Sequence, residues 1–362
     1  MRCQIITEDL KRIVSAPLPW QELSGKTILV SGANGMLPAY MVETLLFLNE
    51  TLFDHKVKVL AMVRNIVKAQ HRFEYYRGRS DLHILVHDVC SQIVFGHPID
   101  IIIHAASQAS PKYYGVDPVG TLTANVIGTF NMLELARRNN CQNFLFFSSG
   151  EVYGTANSAG IPVREDIYGS VDPLDIRACY PESKRMGETM CASWLRQYGT
   201  ATKIVRPFHT YGPGMRLDDG RVFADFVAAI VNNTDLKLNS SGEAKRVFCY
   251  ISDATKAFFT VLLKGKNGEA YNVANPFAEI SIASLADLLV SLFPAKKLAV
   301  LKQAVHSDLA SKTPQALPDI SKITELGWRP ETALAPGFKK TIKSFLQPYK
   351  ETTQHAYRRI KK

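Results

Sequence analysis

Lys26-Thr27-Ile28-Leu29-Val30-Ser31-Gly32-Ala33-Asn34-Gly35-Met36-Leu37-Pro38 is the stretch that decides the fold. It opens on a short β-branched apolar run, turns through two glycines, and leads into a helical pattern carried by Tyr40, Met41, Leu45 and Leu46. Strand, glycine turn and helix together make a phosphate cradle. Gly32 and Gly35 let the backbone approach a pyrophosphate, which then sits at the positive end of the helix. The spacing is Gly-x-x-Gly-x-x-Pro, with Pro38 where a third glycine usually stands. In a first helical turn the missing N–H of proline costs little.

Further along, short apolar runs recur with helix-compatible stretches between them: 57–63, 83–86, 99–106, 144–147 and 202–206. Continuous rather than alternating apolar runs indicate strands covered on both faces, hence a parallel sheet. The expected class is α/β, a Rossmann-type doubly wound parallel sheet with a smaller C-terminal substrate-binding lobe. The expected divisions are an N-terminal extension over 1–24, a dinucleotide-binding domain over 25–210, a substrate lobe over 211–345 and a basic tail over 346–362. In such sheets the site forms beyond the carboxyl ends of the strands, where the motifs of this chain fall.

Bulk properties narrow the function. The 362 residues are 46% hydrophobic and 21% charged, ample for a large core. No apolar run reaches the ~20 residues that span a membrane, and no apolar segment follows Met1 as in a secretory signal. The six cysteines lack metal-ligand spacing, so they read as reduced thiols of a cytoplasmic protein with no metal site; Cys179 reads as a small packed residue. The net charge of +10 is partly local to Lys339-Lys340 and the end Tyr357-Arg358-Arg359-Ile360-Lys361-Lys362. Without an aromatic-interleaved basic stripe it points to an anionic small substrate, not to nucleic acid.

The chemistry lies in Ser149 and Tyr180-Pro181-Glu182-Ser183-Lys184. Tyr180 and Lys184 are one helical turn apart on one face. A lysine ammonium there is expected to lower the phenol from its usual value near ~10, making it a base for an alcohol losing hydride to a nicotinamide. Ser149, at the end of an apolar strand, is placed to hydrogen-bond the same oxygen.

These residues identify the chain as similar to the extended short-chain dehydrogenase/reductases, the nucleotide-sugar epimerases, dehydratases and decarboxylases. The resemblance runs from about residue 25 to 345. The stretches Ala109-Ser110-Pro111, Arg177-Ala178-Cys179-Tyr180, Tyr211-Gly212-Pro213-Gly214-Met215, Asp219-Gly220-Arg221-Val222 and Arg246-Val247-Phe248-Cys249-Tyr250-Ile251-Ser252-Asp253 most resemble the UDP-glucuronate decarboxylases. The resemblance implies an NAD-dependent enzyme that oxidises the sugar at C4, releases carbon dioxide from C6 and yields a UDP-pentose. A nucleotide-hexose 4,6-dehydratase and a 4-epimerase stay open as alternatives. A non-catalytic cofactor sensor is the reading from another class, and it leaves Ser149, Glu151, Tyr180 and Lys184 unexplained together.

By the same resemblance Ser149, Glu151, Tyr180 and Lys184 are catalytic. Gly32, Asn34, Gly35, Met36, Arg64, Asp88, Val89, Ala105, Ala106, Ser107, Asn125, Tyr180, Lys184 and Pro207 line the cofactor. Ser110, Ser149, Gly150, His209, Arg221 and Arg246 meet the nucleotide-sugar, while His104 is structural. A homodimer through helices near 121–137 and 182–196 is implied, with Met132, Leu133, Leu135, Met190 and Trp194 serving either that seam or a core face.

The chain departs from the pattern at several points. Arg64-Asn65 stands where an acid usually holds the adenosine ribose, which leaves NADP open beside NAD. Gly150 replaces a hydroxyl residue, Gly214 an arginine and His209 an asparagine, and Gln315-Ala316-Leu317 replaces basic residues. Gly150 counts against a dehydratase, which usually carries two acids after the catalytic hydroxyl.

Overall fold

The structure, a computed structural model, describes residues 2–155, 162–302 and 317–346. The basic end after residue 346 and Gln315-Ala316 lie outside them. Chain order runs α1 (Gln4–Val14), β1 (Thr27–Ser31), α2 (Met36–Thr51), β2 (Lys58–Val63), α3 (Ile66–Arg72), β3 (Leu82–Val86) and β4 (Ile101–His104). Then come α4 (Pro118–Arg138), β5 (Asn143–Phe147), α5 (Cys179–Tyr198), β6 (Thr202–Pro207), β7 (His209–Tyr211), α6 (Val222–Val231) and β8 (Leu236–Leu238). The remainder is β9 (Lys245–Tyr250), α7 (Ile251–Lys264), β10 (Ala270–Val273), β11 (Glu279–Ser281), α8 (Ile282–Ser291), β12 (Val300–Lys302), α9 (Ser321–Glu325) and α10 (Leu334–Leu346).

Seven strands form one parallel sheet in the order β3-β2-β1-β4-β5-β6-β10. The strand order reverses between β1 and β4, which opens the crevice where α/β sheets bind ligands. The five apolar runs are β2 to β6, and β4 is buried at every residue. A three-stranded sheet β11-β9-β7 and the pair β12-β8 build the smaller lobe. That lobe is not a continuous C-terminal piece, because β10 returns to the edge of the main sheet beside β6.

Close packing shapes two of the helices that flank the sheet. A side chain on Gly187 of α5 would collide with the Phe146 ring of β5, so glycine alone lets the helix carrying Tyr180 and Lys184 press onto that strand. Helix α2 is buried from Pro38 to Asn49 because α1 and α7 cover it on the side away from the sheet.

The N-terminal extension is therefore part of the core. Helix α1 buries Leu10 and Ile13 completely, and with them the carboxylate of Asp9. Asp9 Oδ2 accepts hydrogen bonds from Tyr40 (3.1 Å) and Tyr250 (2.8 Å), tying α1 to α2 and to the end of β9. Burial pushes Asp9 up to about 6, with the two hydroxyls and Lys340 opposing. A carboxyl raised on folding stabilises below its unfolded value near ~4 and loses that contribution as pH rises through 6. Relative to Asp9→Asn, the wild type is thus expected to lose about 2 kcal/mol of stability between about pH 4.5 and pH 7. Urea unfolding of both proteins at the two pH values measures the difference; an equal gap at both would show that Asp9 does not titrate on folding.

The expected dimer seam is corrected in part. Met132, Leu133 and Leu135 are buried within the chain, where they cover the sheet alongside Phe144 and Phe146. Met190 and Trp194 pack at the margin of the same cluster. The large apolar side chains that α4 and α5 leave exposed are Val119, Leu122, Ile127, Phe130, Met186 and Tyr198. Among the described residues no helix is long and apolar enough to cross a membrane.

Candidate active site

The turn after β1 meets the turn after β4 at Gly32. Its φ is +66°, and a Cβ there would lie 2.8 Å from the Ala106 Cα, so only glycine brings the two turns together. Asn34, Gly35 and Met36 remain partly accessible at the start of α2, which has no side-chain cap. Its first N–H groups are therefore free of side-chain partners and available to an anion.

Beneath the turns runs a chain of hydrogen bonds. Ala105 and Ala106 donate backbone N–H to Ser31 Oγ (3.1 and 3.2 Å), which in turn donates to His104 Nδ1 at 2.7 Å. His104 Nε2 then donates to Thr129 Oγ1 (3.1 Å), whose hydroxyl donates to the Asn125 carbonyl. Burial holds His104 at about 3, hence neutral, as this pattern requires. His104 is a structural tie between strand ends and α4. Asn125 Nδ2 extends it to Ser183 (2.9 Å), and Ser183 Oγ donates to the Tyr180 carbonyl (2.8 Å).

At the far end of the crevice Asp88 and Arg64 follow β3 and β2. Asp88 lies below the usual carboxylate range, held first by the Cys90 N–H and also by the Arg64 charge. Val89 is buried against Gly128, where a Cβ would lie 2.7 Å from the Val89 methyl. Pro207 ends β6 beside the crevice.

Ser149 ends the approach from β5 and starts a short 3₁₀ turn, Gly150–Tyr153, with its Oγ accepting from the Glu151 N–H at 3.2 Å. Its hydroxyl also hydrogen-bonds the Tyr180 phenol. Tyr180 stands in the first turn of α5, and Lys184 Nζ donates to the Phe147 carbonyl at 2.8 Å.

The expected lowering of the phenol is overturned. Burial pushes Tyr180 up to about 12, and the Glu151 charge pushes the same way. Burial also brings Lys184 down to about 7. The ammonium turns to a carbonyl and lies 5.9 Å from the Tyr180 ring centre, so it does not offset the desolvation of the phenol.

The residues expected to meet substrate gather around Glu151. Its carboxyl is raised by burial and opposed by Arg177, Arg221 and Arg246. Arg221 donates to the Ala109 carbonyl (2.8 Å) and pairs with Asp219 (3.1 Å), while Ser110 Oγ donates to the Asp219 carbonyl. His209 packs edgewise on Phe223 and Phe248; burial first, then the two arginines, hold it at about 3, and its Nδ1 has no partner.

Two departures from the family pattern have a local cause, steric at Gly150 and electrostatic at Gly214. A side chain at Gly150 would meet the Phe208 ring at 2.9 Å. At Gly214 a Cβ would lie 3.2 Å from the guanidinium of Arg72, itself paired with buried Glu43 at 3.3 Å, so a second arginine there would face a cation already in place.

Sequence reading missed Arg177 and Tyr114 as members of the site. Arg177 lies one turn before Tyr180, and that spacing was the available signal. The Tyr114 ring stacks on Tyr180 at 5.1 Å and 18°, and nothing local in the sequence announces it. Cys179 is buried with its thiol raised by burial, as befits a packed residue. Among the described residues no cluster of metal-ligating side chains forms.

The residues at the crevice fit a dinucleotide. Ser107 Oγ and Asn125 Oδ1 are buried without partners, as expected of groups kept for a ligand, and the Gly32 turn has no room for a side chain.

Comparison with known proteins agrees. Residues 28–274 match the model of the NAD dependent epimerase/dehydratase family. The chain is 34% identical over 319 residues to UDP-glucuronic acid decarboxylase 6 of Arabidopsis thaliana, covering 87% of each. It is 33% identical over 339 residues to UDP-glucuronic acid decarboxylase 1 of Xenopus tropicalis, covering 93% of this chain and 76% of that one. The crystal structure of UDP-glucuronic acid 4-epimerase from Bacillus cereus, in complex with UDP-glucuronic acid and NAD, superposes with a TM-score of 0.74 at 22% identity, over 88% of this chain and 99% of that one. With a match over most of its sheet and relatives above 30% identity along most of its length, the chain belongs to the NAD-dependent epimerase/dehydratase family.

Proposed function

We propose that the chain is a nucleotide-sugar decarboxylase acting on UDP-glucuronate, with oxidation at C4 preceding loss of C6. The observation that carries this reading is Glu151, a raised carboxyl beside Ser149 and Tyr180 and within the field of Arg177, Arg221 and Arg246. NAD would be held by the Gly32 turn, Asp88, Ser107 and Asn125, and would supply the oxidant at C4 together with a positive ring charge that favours a phenolate. Tyr180 takes the O4 proton while Ser149 hydrogen-bonds that oxygen. The arginines hold the C6 carboxylate and the diphosphate, guanidinium suiting both.

Carbon dioxide leaves as the C5–C6 bond breaks, its electron pair passing into the C4 ketone as an enolate. Glu151, its carboxyl raised by burial, is placed to deliver a proton to C5. Tyr180 gives its proton back to O4 when C4 is reduced. Phe208 closes the space at Gly150 and leaves one acid in this turn, which speaks against a 4,6-dehydratase. A 4-epimerase has no use for that acid.

The test is to denature purified protein, identify the released cofactor by mass spectrometry, and incubate a fresh sample with UDP-glucuronate. Bound NAD with carbon dioxide and a UDP-pentose is expected; bound cofactor without reaction would move the substrate to a nucleotide-hexose. NADP in the released pool would assign Arg64 to a 2′-phosphate.

Residues 25–210 are read as the cofactor half, and 211–345 mainly as the nucleotide-sugar lobe. The assembly is read as a homodimer of a cytoplasmic protein, joined through Leu122, Ile127, Phe130 and Met186 on α4 and α5. Light scattering at micromolar concentration is expected to give twice the 40.3 kDa chain mass, and a monomer mass would reject the assembly.

A further inference from the structure

Glu188 lies one turn beyond Lys184 on α5 and belongs to no role so far described. Ser148, the residue before Ser149, donates its hydroxyl to Glu188 Oε1 at 2.5 Å. The Arg206 guanidinium forks onto the same carboxylate, with Nε to Oε1 at 2.9 Å and Nη2 to Oε2 at 2.6 Å. Arg206 Nη1 continues to the Tyr153 hydroxyl (2.9 Å) and the Glu165 carbonyl (3.0 Å), and Tyr153 donates to Asn272 Oδ1 (2.6 Å). Ser148, Lys184 and Arg206 are each at most 5% exposed. One carboxylate therefore joins the end of β5, the helix of Tyr180 and Lys184, and β6 next to Pro207. Through Arg206 and Tyr153 it also reaches the turn that carries Glu151.

We infer that Glu188 is a positioning residue, the fixed counter-charge of the buried Lys184 ammonium and the joint that sets α5 against the strand ends bearing Ser149 and Pro207. Among the described residues, Glu188 is the one carboxylate whose charge bears on Lys184. On α5 it faces Tyr180, Glu188 and Cys191; from β4 it faces neutral His104, and from β5 the Phe146 ring and Phe147 carbonyl. Burial draws the lysine proton off, and Glu188 is the first group opposing that loss. Two charges one helical turn apart on one face attract, more strongly away from water. Arg206 and Ser148 keep the carboxylate in place and pair its oxygens, which a buried charge requires.

The proposal rests on reading Lys184 as the partner of Tyr180, so its test observes Lys184 itself and not turnover. The full chain is labelled with lysine carrying ¹³C at Cε, the Lys184 signal is assigned with Lys184→Met, and its titration is followed by NMR. Glu188→Gln is expected to move the Lys184 midpoint down by on the order of one pH unit. Because Glu188→Gln strands a buried guanidinium, the paired replacement of Glu188→Leu with Arg206→Met is measured beside it. Apolar pairs of similar volume commonly replace buried ion pairs without loss of stability. A lowered midpoint in the paired variant upholds the inference even where the single variant does not fold. An unchanged midpoint in the paired variant overturns it, and so does a shift confined to Glu188→Gln, which would belong to the unpaired Arg206. Failure of UDP-glucuronate to react would reject the proposed substrate and leave this titration as it stands.

Discussion

Replacing Tyr180 by phenylalanine is expected to lower turnover about 10³-fold or more while NAD remains bound. The expectation follows from how the site is built. The phenol is hydrogen-bonded by Ser149, whose hydroxyl also accepts from the Glu151 N–H, and its ring is already fixed by stacking on Tyr114. Removing the hydroxyl deletes the proton acceptor and leaves the ring, so packing and cofactor contacts survive. The phenol stands at about 12 without ligands because burial and the Glu151 carboxyl both disfavour the phenolate. The free protein is thus expected to show no Tyr180 ionisation at neutral pH. Single-turnover assays with cofactor quantified by mass spectrometry separate chemistry from binding. Retained turnover would remove Tyr180 from the mechanism, whereas loss of NAD would make it a binding residue.

Gly32→Val is expected to abolish retention of NAD, weakening it by about 100-fold or more while the chain still folds. Two costs add. The residue sits at φ +66°, which a β-branched side chain adopts only with strain. Its Cβ would lie 2.8 Å from the Ala106 Cα and 2.9 Å from the Ala106 nitrogen, which are backbone atoms with no rotamer to yield. About 3 kcal/mol of combined strain and displacement corresponds to roughly that factor in affinity. The turn lies on the ligand side of the sheet, so the core packing of α2 against α1 and α7 stays in place. The measurement is the molar ratio of NAD released on denaturation, with circular dichroism for folding. A variant that keeps a full complement of NAD would show that the pyrophosphate does not cross this turn.

Periodicity carried the sheet because parallel strands are buried on both faces and leave continuous apolar runs. That signal is local, and β2 through β6 lie within two residues or so of their runs. Tyr180 and Lys184 were legible for a similar reason, since helical spacing alone puts them on one face. The glycine turn was legible because a positive φ at Gly32 has few alternatives.

Other features depend on segments distant in sequence. Helix α1 looked like an appendage, because nothing within residues 4–14 reveals that Tyr40 and Tyr250 will close on Asp9. Met132, Leu133 and Leu135 suited a dimer seam or a core face equally until the sheet was seen to cover them. The missing side chain at Gly150 acquired a reason only from Phe208, and that at Gly214 only from Arg72.

By itself, then, the sequence determined the parallel α/β architecture, the dinucleotide turn and the Ser149, Tyr180 and Lys184 trio. These rest on hydrophobic periods, backbone conformations and spacings of one helical turn, which operate over a few residues. Only the tertiary structure decided how tightly Tyr180 and Lys184 hold their protons and the company that the trio keeps. Desolvation raises Tyr180 and lowers Lys184, and three arginines from separate elements converge on Glu151. Burial and long-range electrostatics are properties of the folded chain, and they come into being when elements far apart in sequence exclude water together.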